Sequence, residues 1–531
     1  MAEQSRDSAL ERQRLARLLE AADAGQADAQ KQLGWMYYYG RGLDRDEQQA
    51  VEWYRKAAMQ GDAAAQTNLG VCCENGFGTP RDERQAVEWY RKAAEQGNTT
   101  AQTNLGICCE NGIGMPRDER QAVEWYRKAA AGGDARAQYI LGGFYESGRV
   151  VGKKEREAAE WYSKAALQQN ADAQCALGLC YEHGVGLEEN VYEAVRWYRK
   201  AAMQGHAKAQ CCLAVCYEYG AGVEKNEQEA VRWYKESADR GFVGSLCNLG
   251  VCYEYGIGVE KDAGRAAALY RSAAEKGYIG AFSMLGVCYE FGKGVPKNEE
   301  EAVRWYIKGA ELGYAGAQCC LGVCYRNGTG VELNQKEAAY WFRKGAEQGH
   351  MRSMYYLGEC FRYGTGVEED KTAAVQWYRA SAELGFSYAQ CSLAACYQFG
   401  DGVTVDMDQA FRWYVAAGNQ GNMRACFTLG SLYAHGDGIL PDADRSAEWY
   451  EQEDRLNDNL VIKKSSSFSA ECRIRAYKDF SDHVPMNTWP GLAEGETDDG
   501  DDGRSIPRSI PERGSAAPEN RHKGSFEREK K

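Results

Sequence analysis

The chain has 531 residues, a formal net charge of −13, and a sequence in which 27% of the residues are charged. This acidic balance argues against a protein that binds duplex nucleic acid or an anionic membrane surface, because both need a basic patch. The first residues, MAEQSRDSALERQR, lack the apolar core of a signal peptide, and no apolar run approaches the roughly 18 residues of a membrane-spanning helix. We therefore expect a cytoplasmic protein that is not inserted in a membrane.

The first predicted element is a helix within residues 1–26. Leu15, Leu18 and Leu19 follow a helical spacing. Gly25 lies one period before Gly61, a residue of the 36-residue repeat that follows. The segment therefore resembles half a repeat, and we predict that it caps the end of a repeat array.

From residue 27 to residue 458 the sequence repeats itself every 36 residues, twelve times without a slip. The stretch AVEWYRKAAMQG at 50–61 returns as AVEWYRKAAEQG at 86–97 and as AVEWYRKAAAGG at 122–133. The tryptophan of this stretch is kept in every unit but the seventh, which has Leu269. A fixed period of this length predicts a solenoid, because one amphipathic unit cannot bury its apolar face alone.

The first half of each unit is predicted to be a helix. Ala29, Leu33 and Tyr37 form one apolar face at helical spacing, and the leucine is kept in all twelve units. Gly34 follows it in ten units, where we expect it to permit close helix approach, since a glycine inside a helix is otherwise unfavourable. Gly40 is kept in every unit and predicts a left-handed helix end.

The second half of each unit is predicted to be a second helix. Asp46 and its Asp or Asn equivalents predict an N-cap, and only Lys154 departs from them. Ala50, Trp53 and Tyr54 begin an apolar stripe at helical spacing. The tryptophan is interpreted as a core residue in preference to a ligand platform, because large aromatics on such a stripe usually supply burial energy.

Cysteine is frequent, with 20 residues, and every cysteine of the array lies on the first helix of its unit. A disulfide that joins the two helices of one unit would need a cysteine on each. Residues five apart on one helix point in different directions, which disulfide geometry does not tolerate. We therefore expect free thiols in a reducing compartment and no disulfides. Metal binding is the alternative, and it lacks both ligand spacing and a histidine in register.

A unit of the form AxxxLGxxYxxGxGVxxDxxxAxxWYxxAAxxG resembles the Sel-1-like repeat family, a relative of the tetratricopeptide repeat. The resemblance covers residues 27–458 and rests on a dozen spaced positions. It implies an all-α fold, a right-handed α-solenoid of about twelve 36-residue antiparallel helix pairs, used as a scaffold or adaptor. Some secreted relatives have a disulfide in every repeat, and this chain lacks the second-helix cysteine that they use.

Residues 459–531 differ in composition from the array. Five of the nine prolines of the chain lie here, as do an acidic run, EGETDDGDD, and few apolar residues. This composition predicts a mostly disordered, low-complexity tail.

No sequence pattern of a known catalytic centre is present. The chain lacks HExxH, GxSxG and GxxxxGKS, and none of its six histidines forms an evident dyad with a carboxylate or thiol. We therefore expect no enzymatic activity, no cofactor and no metal. A hydrolase-like activity, as claimed for disulfide-bearing secreted relatives, is the alternative. The favoured function is a non-enzymatic scaffold for a protein or peptide, including a regulatory subunit of a larger complex.

The predicted binding surface lies on the first helices. Taken at 100° per residue, the positions of Lys31, Trp35 and Tyr38 point away from the predicted buried face. The Tyr38 position becomes glutamate in units 2–8: Glu74, Glu110, Glu146, Glu182, Glu218, Glu254 and Glu290. The Trp35 position includes Val215, Val251 and Val287. The resemblance places first helices on the concave face, so we predict an acidic groove with an apolar floor for a basic segment of a partner. The alternative is a ladder copied passively with the repeat, or one paired with Arg199 or Arg271.

Overall fold

The structure, a computed structural model, describes residues 2–463 except 437 and 439. In this part of the chain every regular element is an α-helix, and 25 helices follow one another. This confirms the predicted all-α repeat fold. Helix α1 spans Ala2–Asp23, and twelve helix pairs follow it.

The first helix of each pair has 13 residues. These helices are α2 Ala27–Tyr39, α4 Ala63–Asn75, α6 Thr99–Asn111, α8 Ala135–Ser147, α10 Ala171–His183, α12 Ala207–Tyr219, α14 Val243–Tyr255, α16 Ile279–Phe291, α18 Ala315–Asn327, α20 Met351–Tyr363, α22 Ser387–Phe399 and α24 Met423–His435. The second helices are α3 Glu47–Met59, α5 Glu83–Glu95, α7 Glu119–Ala131, α9 Glu155–Leu167, α11 Val191–Met203, α13 Glu227–Asp239, α15 Ala263–Glu275, α17 Glu299–Glu311, α19 Gln335–Glu347, α21 Lys371–Glu383, α23 Met407–Asn419 and α25 Ala443–Lys463.

The helix ends follow from local chemistry. The carboxylate of Asp46 accepts a hydrogen bond from the backbone N–H of Gln49 and caps α3, as predicted. Lys154 makes no side-chain cap at the start of α9. Gly40 ends α2 in the left-handed conformation with φ 63°, where a Cβ is unfavourable. The first helices have caps as well: Asp62 accepts the amide of Ala65.

In most pairs the core contains a tyrosine of the second helix packed on a glycine of the first. A Cβ added to Gly70 would lie 2.6 Å from Cε1 of Tyr90, which confirms that this glycine permits close approach. Tyr90 itself is fully buried. The ring therefore fills the space that the missing side chain leaves.

The tryptophans are less buried than the sequence predicted. Of the tryptophans on the second helices, Trp53 and Trp197 are buried and the others are partly buried. In several units the lysine three residues on lies over the ring, at 3.8 Å from the ring centroid for Lys56 and Trp53. The tryptophan therefore lies at the edge of the core, where one face meets a cation.

Successive pairs are joined by buried amides. The Nε2 of Gln66 donates to the carbonyl oxygen of Ala58 in the preceding second helix at 3.1 Å. The Nε2 of Gln96 then donates to the Oε1 of Gln66 at 2.7 Å. The amide of Gln66 is thus satisfied at the boundary between the first two repeats, which fixes how one repeat sits on the next.

The last helix, α25, runs to Lys463 and so passes the predicted end of the array at residue 458. The rest of the predicted low-complexity tail, residues 464–531, lies outside the described residues.

Candidate partner-binding site

Each glutamate of the predicted stripe contacts the buried tyrosine of its own repeat. The phenolic hydroxyl, 16 residues on, donates to Oε2 of the glutamate. The pairs are Tyr90 with Glu74 at 2.6 Å, Tyr126 with Glu110 at 2.8 Å, Tyr162 with Glu146 at 2.7 Å, Tyr198 with Glu182, Tyr234 with Glu218 at 2.9 Å, Tyr270 with Glu254 at 2.9 Å, and Tyr306 with Glu290 at 2.6 Å. One carboxylate oxygen is therefore held at a fixed place in seven successive repeats.

The stripe does not point straight away from the buried face, as the helical projection predicted. Glu218 is buried and the other six glutamates are partly buried. Val251 and Val287 are buried as well, and Val215 is partly buried, so these valines form an interface between repeats and not an open apolar floor. A projection of a single helix omits its neighbours, whereas from α4 onward each first helix packs against its own second helix and against the second helix of the preceding repeat.

The second oxygen of the carboxylate binds a cation in two repeats. The Nζ of Lys293 donates to Oε1 of Glu254 at 2.9 Å, and Nη2 of Arg149 donates to Oε1 of Glu110. In both pairs the base lies 39 residues after the acid, in the loop of the next repeat. Arg199 and Arg271, the predicted alternative partners, donate instead to the hydroxyls of Tyr217 and Tyr289.

The other five glutamates have no such base at that place, and Glu218 is followed there by Ile257. The residues 39 positions after Glu74, Glu146, Glu182 and Glu290 are Ile113, Val185, Ala221 and Thr329. Within the part of the chain that the structure describes, these four carboxylates form no ion pair. Their second oxygen is the one that binds Arg149 or Lys293 in the equivalent repeats.

Burial makes the negative charge less favourable at two of these four glutamates. It raises the pKa of Glu182 and of Glu290 above the usual range, against the opposing hydrogen bonds from Tyr198 and Tyr306. An external cation beside the second oxygen would favour the ionised form.

The stripe changes its chemistry after the eighth repeat. Arg326 takes the glutamate position in the ninth repeat, and there the tyrosine is replaced by Phe342, which has no hydroxyl to donate. In the eleventh repeat Gln398 takes the position and its Oε1 accepts the hydroxyl of Tyr414 at 2.8 Å. In the tenth repeat Arg362 takes the glutamate position and forms an ion pair at 2.9 Å with Asp401, which lies 39 residues later in the loop of the next repeat. The base therefore stands where the third and seventh repeats have the acid, and the acid stands where they have the base.

A second polar cluster, around Cys175, was not predicted. His206 is the N-cap of α12: its Nδ1 accepts the amide of Ala209 at 3.1 Å, and its Nε2 lies 3.2 Å from Oδ1 of Asp172. Cys175 and Cys212 belong to one buried cluster beside it. Sequence spacing alone does not reveal this cluster, because Asp172 and His206 lie 34 residues apart, near the two ends of one repeat, and meet only where α10 and α12 pack together. His350 caps α20 in the same way, with Nδ1 accepting the amide of Ser353.

All 19 cysteines of the described residues are buried, and none of them forms a disulfide. Burial raises the pKa of most of the thiols for which a shift is resolved, for example that of Cys72 and of Cys216 to about 12. In this part of the chain no group of three or more histidine, cysteine or acidic residues is placed to hold a metal ion. Across the described residues, no helix combines the length and the apolarity that spanning a membrane requires.

The repeats, the paired helices and the tyrosine–glycine core define a helical-repeat protein. The family model of the Sel1 repeat matches residues 27–62, 63–98, 99–134, 135–170, 171–206, 207–242, 243–278, 283–314, 315–350, 352–386, 387–422 and 424–452. The chain belongs to the Sel1 repeat family.

Two solved structures illustrate the similarity. One is c5321, described as a protective antigen present in uropathogenic Escherichia coli strains and displaying an SLR fold. It is 34% identical, with a TM-score of 0.60, over 91% of this chain and 99% of its own. A Sel1 repeat protein from Oxalobacter formigenes is 31% identical over 57% of this chain and 88% of its own, with a TM-score of 0.43. No curated protein matches.

Proposed function

We propose that the repeat array is a non-catalytic scaffold whose glutamate stripe binds a basic segment of a partner protein. The family and the fold support the general class, since Sel1 repeats form protein-interaction scaffolds. The glutamates Glu74, Glu146, Glu182 and Glu290 are the proposed contacts. The groove is the strip beside the first helices of repeats 2–8, and the partner is a protein or peptide, within a larger complex.

One observation supports this proposal above the others. The same carboxylate position already binds a lysine or an arginine through Oε1 in two repeats, while its Oε2 stays on the tyrosine. The geometry therefore accepts a basic side chain without disturbing the core. Where the chain supplies no base, a partner can supply one, and a charge-assisted hydrogen bond results.

A matched set of variants tests the proposal. Glutamine at Glu74, Glu146 and Glu182 removes charge but keeps an acceptor for the tyrosine, as Gln398 does for Tyr414. The control set is Glu110→Gln with Glu254→Gln, whose carboxylates already bind Arg149 and Lys293. Binding of a short peptide of alternating lysine and leucine is measured by fluorescence anisotropy over a range of salt, with a glutamate–leucine peptide for comparison.

We expect the first set to weaken binding of the basic peptide and to flatten its salt dependence, with little change in melting temperature. The control set is expected to change peptide binding less. Equal affinity of wild-type protein for the basic and acidic peptides would contradict the proposal, as would unchanged binding by the triple variant.

The alternative of a hydrolase has less support. Cys175 has a histidine and an aspartate nearby, but its side chain is only 2% exposed, so a peptide or sugar substrate cannot reach the sulfur. We therefore propose a binding role for the array and no hydrolytic one.

A further inference from the structure

Two cysteines of neighbouring repeats are in contact in the middle of the array. Cys175 is on α10 and Cys212 is on α12, and both belong to one buried cluster. One repeat further on, the equivalent positions are held by Cys211 and Asn248, and there Nδ2 of Asn248 lies 3.5 Å from Sγ of Cys211. The register of the repeat thus brings these two positions together, and in the fifth and sixth repeats both are cysteines.

The surroundings of Cys175 differ from those of the other buried thiols. His206 is fixed between the amide of Ala209, which donates to Nδ1, and Asp172, which accepts from Nε2 at 3.2 Å. The hydrogen bond from the Cys212 thiol lowers the pKa of Cys175 well below its usual range against the opposing effect of burial, and His206 lowers it further. The same hydrogen bond raises the pKa of Cys212. Ionisation is therefore favoured at Cys175 over Cys212.

We propose that Cys175 and Cys212 are a redox-responsive pair, which a peroxide closes into a disulfide between α10 and α12. This arrangement has two features of a redox-responsive cysteine, a polar partner beside the sulfur and a second thiol within reach, and the burial of Cys175 limits access to a small oxidant. The pair joins two first helices, unlike the bond between the two helices of one unit that the sequence excluded.

The chemistry balances with hydrogen peroxide as the oxidant. The Cys175 thiolate attacks one peroxide oxygen, the O–O bond breaks, and a sulfenic acid and hydroxide form. The sulfur of Cys212 then attacks that of Cys175, the S–O bond breaks, and the hydroxyl leaves as water with the proton of Cys212. Overall, one thiolate and one thiol become a disulfide, and one peroxide is reduced to one water and one hydroxide, which takes a proton from the solvent. The side chain of His206 is 20% exposed, and in this proposal the small oxidant approaches Cys175 from that side.

Peptide mapping tests the proposal on the full-length protein. The reduced protein is treated with hydrogen peroxide, blocked with N-ethylmaleimide in denaturant and digested with trypsin. We expect a cross-linked product of peptides 165–196 and 209–225, and no such product from Cys175→Ser or Cys212→Ser. In the Cys212→Ser variant we expect Cys175 to remain as a sulfenic acid that dimedone labels.

A conservative variant separates the role of the imidazole from that of the cap. His206→Asn keeps an N-cap, because Asn98 and Asn170 cap the equivalent helices α6 and α10, but it removes the ring. We expect about tenfold slower oxidation of Cys175 with an unchanged melting temperature. Cys175 and Cys212 recovered as free thiols after peroxide treatment, or a cross-link to other cysteines in their place, would overturn the proposal.

Discussion

At the scale of single residues, the tyrosine of the second helix contributes both to the core and to the position of the glutamate in the proposed site. Its ring packs on the glycine of the first helix, and its hydroxyl fixes one oxygen of the glutamate. Tyr162 is fully buried, whereas the neighbouring Trp161 is only partly buried and lies beside Lys164. The two adjacent aromatics should therefore contribute unequally.

Truncation of this adjacent pair tests that difference. We expect Tyr162→Ala to cost about 3–5 kcal/mol of local stability, the range for a fully buried aromatic, and Trp161→Ala to cost roughly half as much. Native-state hydrogen exchange of the fourth repeat measures both losses, because contacts in such an array are between neighbours. A larger loss for Trp161→Ala would mean that the tryptophan is the main core residue after all.

At this scale, the features that could be predicted from the sequence are those set by residues close by in the chain. Gly40 and Asp46 were predicted correctly as a helix end and a cap, because each acts within a few residues. The hydrogen bond between Tyr90 and Glu74 was missed, because a helical projection of one helix contains no information on its neighbour. A signal was present in the ninth repeat, where Arg326 and Phe342 replace the glutamate and the tyrosine together.

At the scale of elements, the loop of the fourth repeat is the irregular one. Val150 stands where eleven units have glycine, and it adopts a φ of 70°, in the left-handed region that a β-branched residue disfavours. In the second repeat the equivalent residue is Gly78, where an added Cβ would lie 2.0 Å from the carbonyl oxygen of Glu47. The fourth loop therefore departs from the regular path, and its Arg149 reaches back to Glu110.

Glycine at this position should relieve the strain. We expect Val150→Gly to stabilise the protein by up to about 1 kcal/mol, because the left-handed conformation costs a non-glycine residue about 1–2 kcal/mol and the added freedom of the unfolded glycine offsets part of this gain. Val150 is 42% exposed, so little apolar burial is lost. The matched reverse change, Gly78→Val, should destabilise clearly. A lower melting temperature for Val150→Gly would contradict this account of the loop.

At the scale of the whole molecule, the thiols link stability to alkaline pH. Burial raises the pKa of Cys108, Cys216, Cys288 and Cys324 from 9.0 to about 12. Between these values the unfolded chain has lost protons that the folded chain still holds, so stability falls as pH rises. Below pH 9 these thiols are protonated in both states and add no pH dependence.

Denaturant unfolding at a series of pH values tests this link. We expect a constant midpoint below pH 9, the ordinary value for these thiols, and a progressive fall above it. Replacement of Cys108 and Cys288 by alanine should reduce the slope. A midpoint that stays constant up to pH 12 would show that the thiols ionise equally in both states.

The regular repetition of the array also determines how the glutamates of the proposed site could act together. Because one contact recurs every 36 residues, the glutamates of several repeats take equivalent places beside the first helices, and in the proposed site their second oxygens act together. A partner with basic residues at a matching spacing can engage several of them together, and each engagement raises the effective concentration for the next.

Zero-length cross-linking tests this central claim most directly. A carbodiimide joins a carboxylate to an amine only when the two are in contact, so it is applied to the full-length protein with the lysine–leucine peptide bound. We predict that peptide lysines are joined to Glu74, Glu146 and Glu182, and that these products disappear when the three are changed to glutamine. Cross-links confined to exposed acids of the second helices, such as Glu52 and Glu88, would contradict the account.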